Sequence, residues 1–269
     1  VCDSIMDHYM KSGYADKHFM PKGKEDKNDL RQGFWKDYEV TLDETYFLVD
    51  SVPKRYKAWY LLYAEGDFKN GKRVGKWDFF VIEDKTFKKI KQKTVEYIDG
   101  KEIGNYIYFF PNKSIASTGF SVNGQKAGEE TVYYEDGSLY AKRPFSKGKR
   151  NGLFVHYYRN QVLMEKVEYE NDSLHGISLI YYADGQLQES CQFINGQFDG
   201  VYQYYYENGQ LWVERIYNNG LIQSITGSYD MNGNPRDKGT LVDGNGTVNF
   251  YTQEGKLYLT KTFENGKMV

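Results

Sequence analysis

Residues 200–220 read GVYQYYYENGQLWVERIYNNG, and residues 176–196 read GISLIYYADGQLQESCQFING. Both open on Gly and carry a Tyr pair, an Asp-Gly or Asn-Gly, a Leu, a second aromatic and a closing Asn-Gly. The offset between them is 24 residues, and it extends outward. Gly104, Gly128, Gly152, Gly176 and Gly200 follow at that interval, and Ser224 takes the next slot. Phe109, Tyr133, Tyr157, Tyr181, Tyr205 and Tyr229 fill one column. Phe110, Tyr134, Tyr158, Tyr182 and Tyr206 fill the next, which Asp230 ends. Ile115, Leu139, Leu163, Leu187 and Leu211 form a third, and an aromatic returns at Phe145, Tyr169, Phe193 and Tyr217. A fixed period of this length marks a repeat architecture built from one small supersecondary unit.

Turn dipeptides punctuate the columns in two series. Asp136-Gly137, Asp184-Gly185, Asn208-Gly209 and Asn232-Gly233 form the first. Asn70-Gly71, Asp99-Gly100, Asn123-Gly124, Asn195-Gly196, Asn219-Gly220 and Asn265-Gly266 form the second. Such pairs accept the positive φ of turns whose twist matches flanking strands. Each unit therefore reads strand, tight turn, strand, longer loop, with the two-residue turn placed at the first series. In that register Tyr134 faces Leu139 and Tyr133 faces Tyr140. Lys113 and Gln161 replace the glycine of the first series, so those hairpins are expected to turn differently. Because neighbouring strand residues point to opposite faces, the doubled aromatic puts one ring on each side of the sheet.

The predicted fold is all-β: an elongated, single-layer antiparallel meander of about nine hairpins over residues 31–269. Residues 1–30 read as an N-terminal cap or arm. The unit opening at Gly33 holds an insertion around Ser51 to Tyr56, and Gly75 opens a lengthened one. One hairpin gains ~0.2–1 kcal/mol for each cross-strand pair, while ordering each residue costs ~1–2 kcal/mol. A lone unit loses on that balance, and stacked units recover it by burying rings against both neighbours.

Composition narrows the function classes. With 26 Tyr, 16 Phe and 27 Gly against only 5 Pro, the chain favours strands and tight turns. A net charge of −2 argues against nucleic acid bound through a basic field. Two cysteines, Cys2 and Cys191, make no disulfide framework. No apolar run reaches the length of a membrane helix. A chain beginning at Val1 suggests removal of an upstream segment, hence a bacterial envelope or secreted setting, with cytoplasm as the alternative. Cys2 is then a candidate lipidation site, against the plainer reading of an ordinary thiol near a trimmed end.

The pattern G-x-x-x-x-Y-Y-x-[DN]-G-x-L followed by aromatic-x-N-G resembles the MORN-repeat superfamily, and in particular its bacterial variant, often labelled an antitoxin family. The resemblance covers residues 31–269 and implies serial hairpins used for protein or lipid contacts. The chain departs from the commonest form in its period of 24 and in loop positions such as Asp172, which stands where Gly148 and Gly196 stand.

Candidate binding residues are the two rows Tyr133, Tyr157, Tyr181, Tyr205 and Tyr134, Tyr158, Tyr182, Tyr206. Tyr packs by its ring while its hydroxyl stays wet, so either row could grip a partner or merely hold the sheet together. The segment 85–93, KTFKKIKQK, places five lysines close together: Lys85, Lys88, Lys89, Lys91 and Lys93. It is a candidate anion patch, or simply a solvated hairpin extension whose charges guard a strand edge. His8, His18, His156 and His175 lack metal-ligand spacing, and His156 reads as a sheet-face residue. Glu129-Glu130 and Glu165, Glu168, Glu170 show no acid pair, and Gly-x-Gly in DGNGTV precedes no helix pattern. The expectation is a non-enzymatic scaffold with no metal or cofactor, binding an unidentified protein through an aromatic face. The alternative is a module for glycan or anionic lipid using the tyrosine rows and the Lys85–Lys93 patch.

Overall fold

The computed structural model describes residues 22–28, 30–49, 52–82 and 89–269. Regular structure there is strand throughout, with no helix among the described residues. The chain divides into two compact units. One ends at Ala127 and takes in Glu135–Gly137; the other comprises Gly128–Tyr134 and Ser138–Val269. Cys2, His8, His18 and most of the expected N-terminal cap lie outside the described residues.

The first unit is a meander of β1 (Lys22–Glu25), β2 (Arg31–Val49), β3 (Val52–Lys69), β4 (Lys72–Ile82), β5 (Lys89–Ile98), β6 (Lys101–Phe109) and β7 (Ile115–Val122). Each strand pairs antiparallel with the next. The expected insertion lengthens one hairpin: β2 and β3 stay in unbroken register from Gly33↔Phe68 to Val49↔Val52. The core of this unit is Trp35, Ala64, Phe68 and Trp77, with Phe79 and Tyr97 against it. Trp77 is wholly buried, and its ring lies flat on Gly66, where a Cβ would stand 2.5 Å from Cδ2. Only glycine leaves room there.

Strand β8 (Gln125–Tyr133) leads into the second unit. There follow β9 (Leu139–Ser146), β10 (Lys149–Arg150), β11 (Gly152–Tyr157), β12 (Leu163–Glu170), β13 (Ser173–Tyr181) and β14 (Leu187–Ile194). Next come β15 (Gln197–Phe198), β16 (Gly200–Tyr205), β17 (Leu211–Asn218) and β18 (Leu221–Ser228). They again pair in sequence order, antiparallel. A separate three-stranded sheet ends the chain: β19 (Gly246–Tyr251), β20 (Leu257–Glu264) and β21 (Lys267–Met268). Ile222, Ile225, Leu241 and Val248 form a core that joins β18, the connecting segment and β19.

The two turn series exchange roles relative to the sequence reading. The second series makes the two-residue turns: Asn219 and Gly220 have φ of 46° and 78°, and Asn218↔Leu221 pair directly around them. Both central residues are left-handed, as the tightest hairpin turns demand. The first series lies in five-residue turns, in which Tyr182 N–H donates to the Gln186 carbonyl at 2.9 Å and Gly185 N–H to the Tyr182 carbonyl at 2.9 Å. The cross-hairpin register shifts with it. Tyr133 pairs with Leu139 and Val132 with Ala141, leaving Tyr140 as an inserted bulge residue. The same slip recurs at His156/Tyr157, Ile180/Tyr181 and Tyr204/Tyr205. A bulge adds one residue to one strand and increases its local twist, which a column alignment does not register.

Lys113 and Gln161 do not change their turns. They adopt φ of 74° and 64°, and their N–H groups donate to Phe110 and Tyr158 carbonyls at 2.9 Å, as a glycine would there. Asp172 likewise keeps the tight turn at φ 74°. The surrounding hydrogen bonds fix the turn, and the side chain bears the strain.

Candidate functional site

One face of the second unit is closed. Phe154, Val167, Ser178 and Cys191 are paired in succession across β11, β12, β13 and β14, and all are buried. Longer residues of the same face cover them. Phe154 meets Phe145 at 5.7 Å and Tyr169 at 4.8 Å, and the Arg150 guanidinium lies 4.2 Å from the Tyr169 ring centre. Burial, then the charge of Glu189, pushes the Cys191 thiol up to about 12, so this cysteine is an inert packing residue.

The other face is open. Along β11 the alternation Leu153, Val155, Tyr157 points away from Phe154; along β13 it is Ile177, Leu179, Tyr181, and along β16 Val201, Gln203, Tyr205. Leu153, Ile177 and Val201 are 43%, 57% and 46% exposed. The row Tyr133, Tyr157, Tyr181, Tyr205 therefore stands half-buried on the face that carries these three exposed aliphatics. These aliphatics were missed in the sequence, although they share one column immediately after the repeat glycine.

The row Tyr134, Tyr158, Tyr182, Tyr206 turns its hydroxyls to the next repeat. The Oη of Tyr134, Tyr158 and Tyr182 each donates to the carbonyl of Tyr157, Tyr181 and Tyr205, all at 2.7 Å, and Tyr206 donates to Tyr229 at 3.0 Å. Each bond ties one five-residue turn to the next repeat. Asn160 and Asn208 add parallel bonds to the Ala183 and Met231 carbonyls, both at 2.9 Å. Burial raises the Tyr158, Tyr182 and Tyr206 hydroxyls above the ordinary phenol range.

Of the lysine cluster, Lys85 and Lys88 lie outside the described residues. Lys91 Nζ is 2.8 Å from Asp78, Lys93 is 3.0 Å from Glu102, and Lys89 is 4.0 Å from Glu65 and 3.3 Å from the Tyr63 ring centre. These three positive charges are met locally by carboxylates and rings. His156 sits on the closed face, with Nδ1 2.9 Å from Glu165. Among the described residues no three His, Cys, Asp or Glu side chains group as metal ligands.

Residues 126–147, 174–195 and 198–219 match the family described as MORN repeat variant. Three of the chain's hairpin units are MORN-variant repeats. Each match opens two residues before a repeat glycine, Gly128, Gly176 or Gly200, and so shares the phase of the hairpins described above. MORN repeats are in general non-enzymatic scaffolds for contacts with proteins and membrane lipids. No curated protein matches the chain.

Proposed function

We propose that this MORN-repeat chain is a non-enzymatic scaffold that binds a protein partner on the open face of its second unit. The observation that carries the reading is the stripe of exposed Leu153, Ile177 and Val201 beside the Tyr133, Tyr157, Tyr181, Tyr205 row. Exposed aliphatics mark contact surfaces, and here they alternate with Glu168 and Gln192 of the strands between, while tyrosine supplies large contact area at small entropic cost. Lys142 and Lys166 flank the stripe, since they pair with Val155 on either side, but Glu129 meets Lys142 at 3.6 Å and Glu168 pairs with Leu153, so the face carries both signs of charge and the partner's main contribution is apolar. Anionic lipid or glycan is the alternative occupant, and it draws less support because Lys89, Lys91 and Lys93 already face carboxylates.

The test replaces Ile177 and Val201 with Asp, positions exposed enough to leave the fold intact. A partner captured by the native chain and then purified should bind the double variant at least about tenfold more weakly, as for a contact hot spot. Circular dichroism and melting should be unchanged. Equal binding of that partner, or binding to anionic vesicles or a glycan array that the double variant abolishes, overturns the reading.

A further inference from the structure

At the C-terminal end of the second unit the closed face opens into a cleft of about 260 Å³. Its floor is Tyr202 and Tyr204 of β16 with Val213 and Arg215 of β17; Asn249, Phe250 and Tyr258 come from the terminal sheet. Tyr202 and Tyr204 alternate with Gln203 and Tyr205, so the cleft faces away from the tyrosine row discussed above.

Two features make it a built site. Trp212 is a fixed wall: Tyr206 stacks on it at 4.6 Å with planes 3° apart, and Tyr204 meets it edge-on at 5.7 Å. Tyr204 is itself held by the Gln188 amide at 2.9 Å. The second feature is Arg215. Its guanidinium lies 5.4 Å from the Tyr202 ring centre and 5.6 Å from that of Phe250. Its Nε is shielded from water and has no hydrogen-bond partner among the described residues. Glu189, on the same face, is engaged by the Tyr202 hydroxyl at 3.1 Å. A shielded N–H with no acceptor is costly until one meets it, and on a guanidinium the best-matched acceptor is a carboxylate.

We propose that this cleft binds an acidic sugar, a hexuronate unit whose carboxylate meets Arg215 and whose ring lies against Trp212 and Tyr258. The volume is below that of drug-sized pockets and suits a single ring. The lining also holds the hydroxyl and amide groups of Ser228, Asn249 and Tyr251; the Tyr251 hydroxyl and Asn249 Nδ2 already donate to the Asp237 carbonyl at 2.8 and 3.3 Å, which leaves oxygen lone pairs to accept from the hydroxyls of a polyol. The planar guanidinium fork matches a carboxylate, and the negative faces of aromatic rings attract the polarised C–H groups of a sugar. Asn249 is already oriented, since its Oδ1 accepts from Thr260 at 2.7 Å.

The experiment titrates the full chain with trigalacturonate, neutral galactotriose and benzoate, following the Trp212 indole N–H by NMR. The uronate should bind at least about tenfold more tightly than the neutral trisaccharide, as expected for loss of a charge-assisted pair. Arg215→Gln should erase that preference. Tyr258→Ser, at a residue 60% exposed and so safe for folding, should weaken both sugars severalfold. Equal binding of acidic and neutral sugars, tighter binding of benzoate, or no saturable shift with uronate up to about 10 mM overturns the proposal.

Discussion

The hydroxyl of Tyr182 donates to the main-chain carbonyl of Tyr205, 2.7 Å away and one repeat further along the chain. Tyr158 stands in the same relation to Tyr181. These bonds cross between units that cannot fold singly, so they act on the coupling of repeats as well as on local order. Tyr158→Phe and Tyr182→Phe keep the ring and remove the donor. Each should lower unfolding stability by about 1 kcal/mol, the usual net value of such a bond. Tyr181→Phe, on the open face and without that bond, should be near neutral. Urea unfolding of the three variants decides it; no loss at Tyr158 and Tyr182 would show that the rings, and not the hydroxyls, join the repeats.

Lys113 occupies φ 74° at the turn position where Gly137, Gly185 and Gly209 have φ of 87°, 94° and 81°. A residue with a Cβ pays about 1–2 kcal/mol for left-handed backbone, so Lys113→Gly should stabilise the protein by about 1 kcal/mol. The reverse change, Gly185→Ala, should destabilise by a similar amount. Its added Cβ would meet only Val162, at an ordinary 3.6 Å, so the cost is the backbone alone. Thermal melts of both variants give the signs. A destabilised Lys113→Gly would mean that the lysine side chain compensates for its own strain.

The repeat, its phase and its all-β character were legible because identical residue types recur at one spacing, and in a hairpin array spacing is structure. The register was not. Tyr140, Met164, Gln188 and Trp212 each follow a Leu and look like ordinary strand residues, yet each is the extra residue of a bulge. Nothing in their chemistry announces it; the misfit between a five-residue turn and strict alternation produces it. The assignment of tight and wide turns failed for a related reason, because Asn-Gly serves both. The second tyrosine row was legible as a column but not as a set of hydroxyl bonds, since those depend on where the next repeat places its carbonyl. A further pattern could have been seen. Arg31, Arg73, Lys126 and Arg150 each stand two residues before a repeat glycine, and each lies over a ring: Trp35, Trp77, Tyr106 and Tyr169. The Arg215 cleft falls where the period is broken, which is where column reasoning has least to offer.

Gly66 has an ordinary backbone conformation, and its need for glycine is purely steric. A Cβ would stand 2.5 Å from Trp77 Cδ2 and Cε2, and Trp77 is fully buried with its indole N–H on the Asp67 carbonyl at 3.1 Å. Gly66→Ala should therefore displace the indole and cost about 3 kcal/mol, at the upper end for an overpacked core. Gly124→Ala is the control: φ is 78° and nothing lies within 4 Å of the added carbon, so only the backbone cost of about 1 kcal/mol applies. Near-UV circular dichroism should change for the first and not the second. Similar losses in both would show that Trp77 can move aside freely.

Alkaline pH should loosen the fold through its buried hydroxyls. Burial first, then the charge of Glu189, raises the Tyr202 phenol; burial first, then the hydrogen bond with Tyr204, raises Tyr182. Lys93 is also raised: burial pulls it down, but the charge of Tyr108 and the bond and charge of Glu102 outweigh that. An unfolded tyrosine loses its proton near pH 10, at about its ordinary value. Above that pH the unfolded chain gives up protons that the folded chain retains, so unfolding becomes more favourable with each further rise. The stabilisation is fully present below about pH 10 and is lost as pH climbs through the folded values. Asp78 acts at the other limit. Burial would raise it, but its bonds from Lys91 and Thr94 hold it below the ordinary carboxylate range, so its contribution is present above about pH 4 and lost below. Urea midpoints should form a plateau at neutral pH and fall as pH rises above about 10, with a shallower alkaline slope in Tyr202→Phe. A midpoint that does not move across that alkaline range would mean these hydroxyls ionise as easily in the folded chain as in the unfolded one.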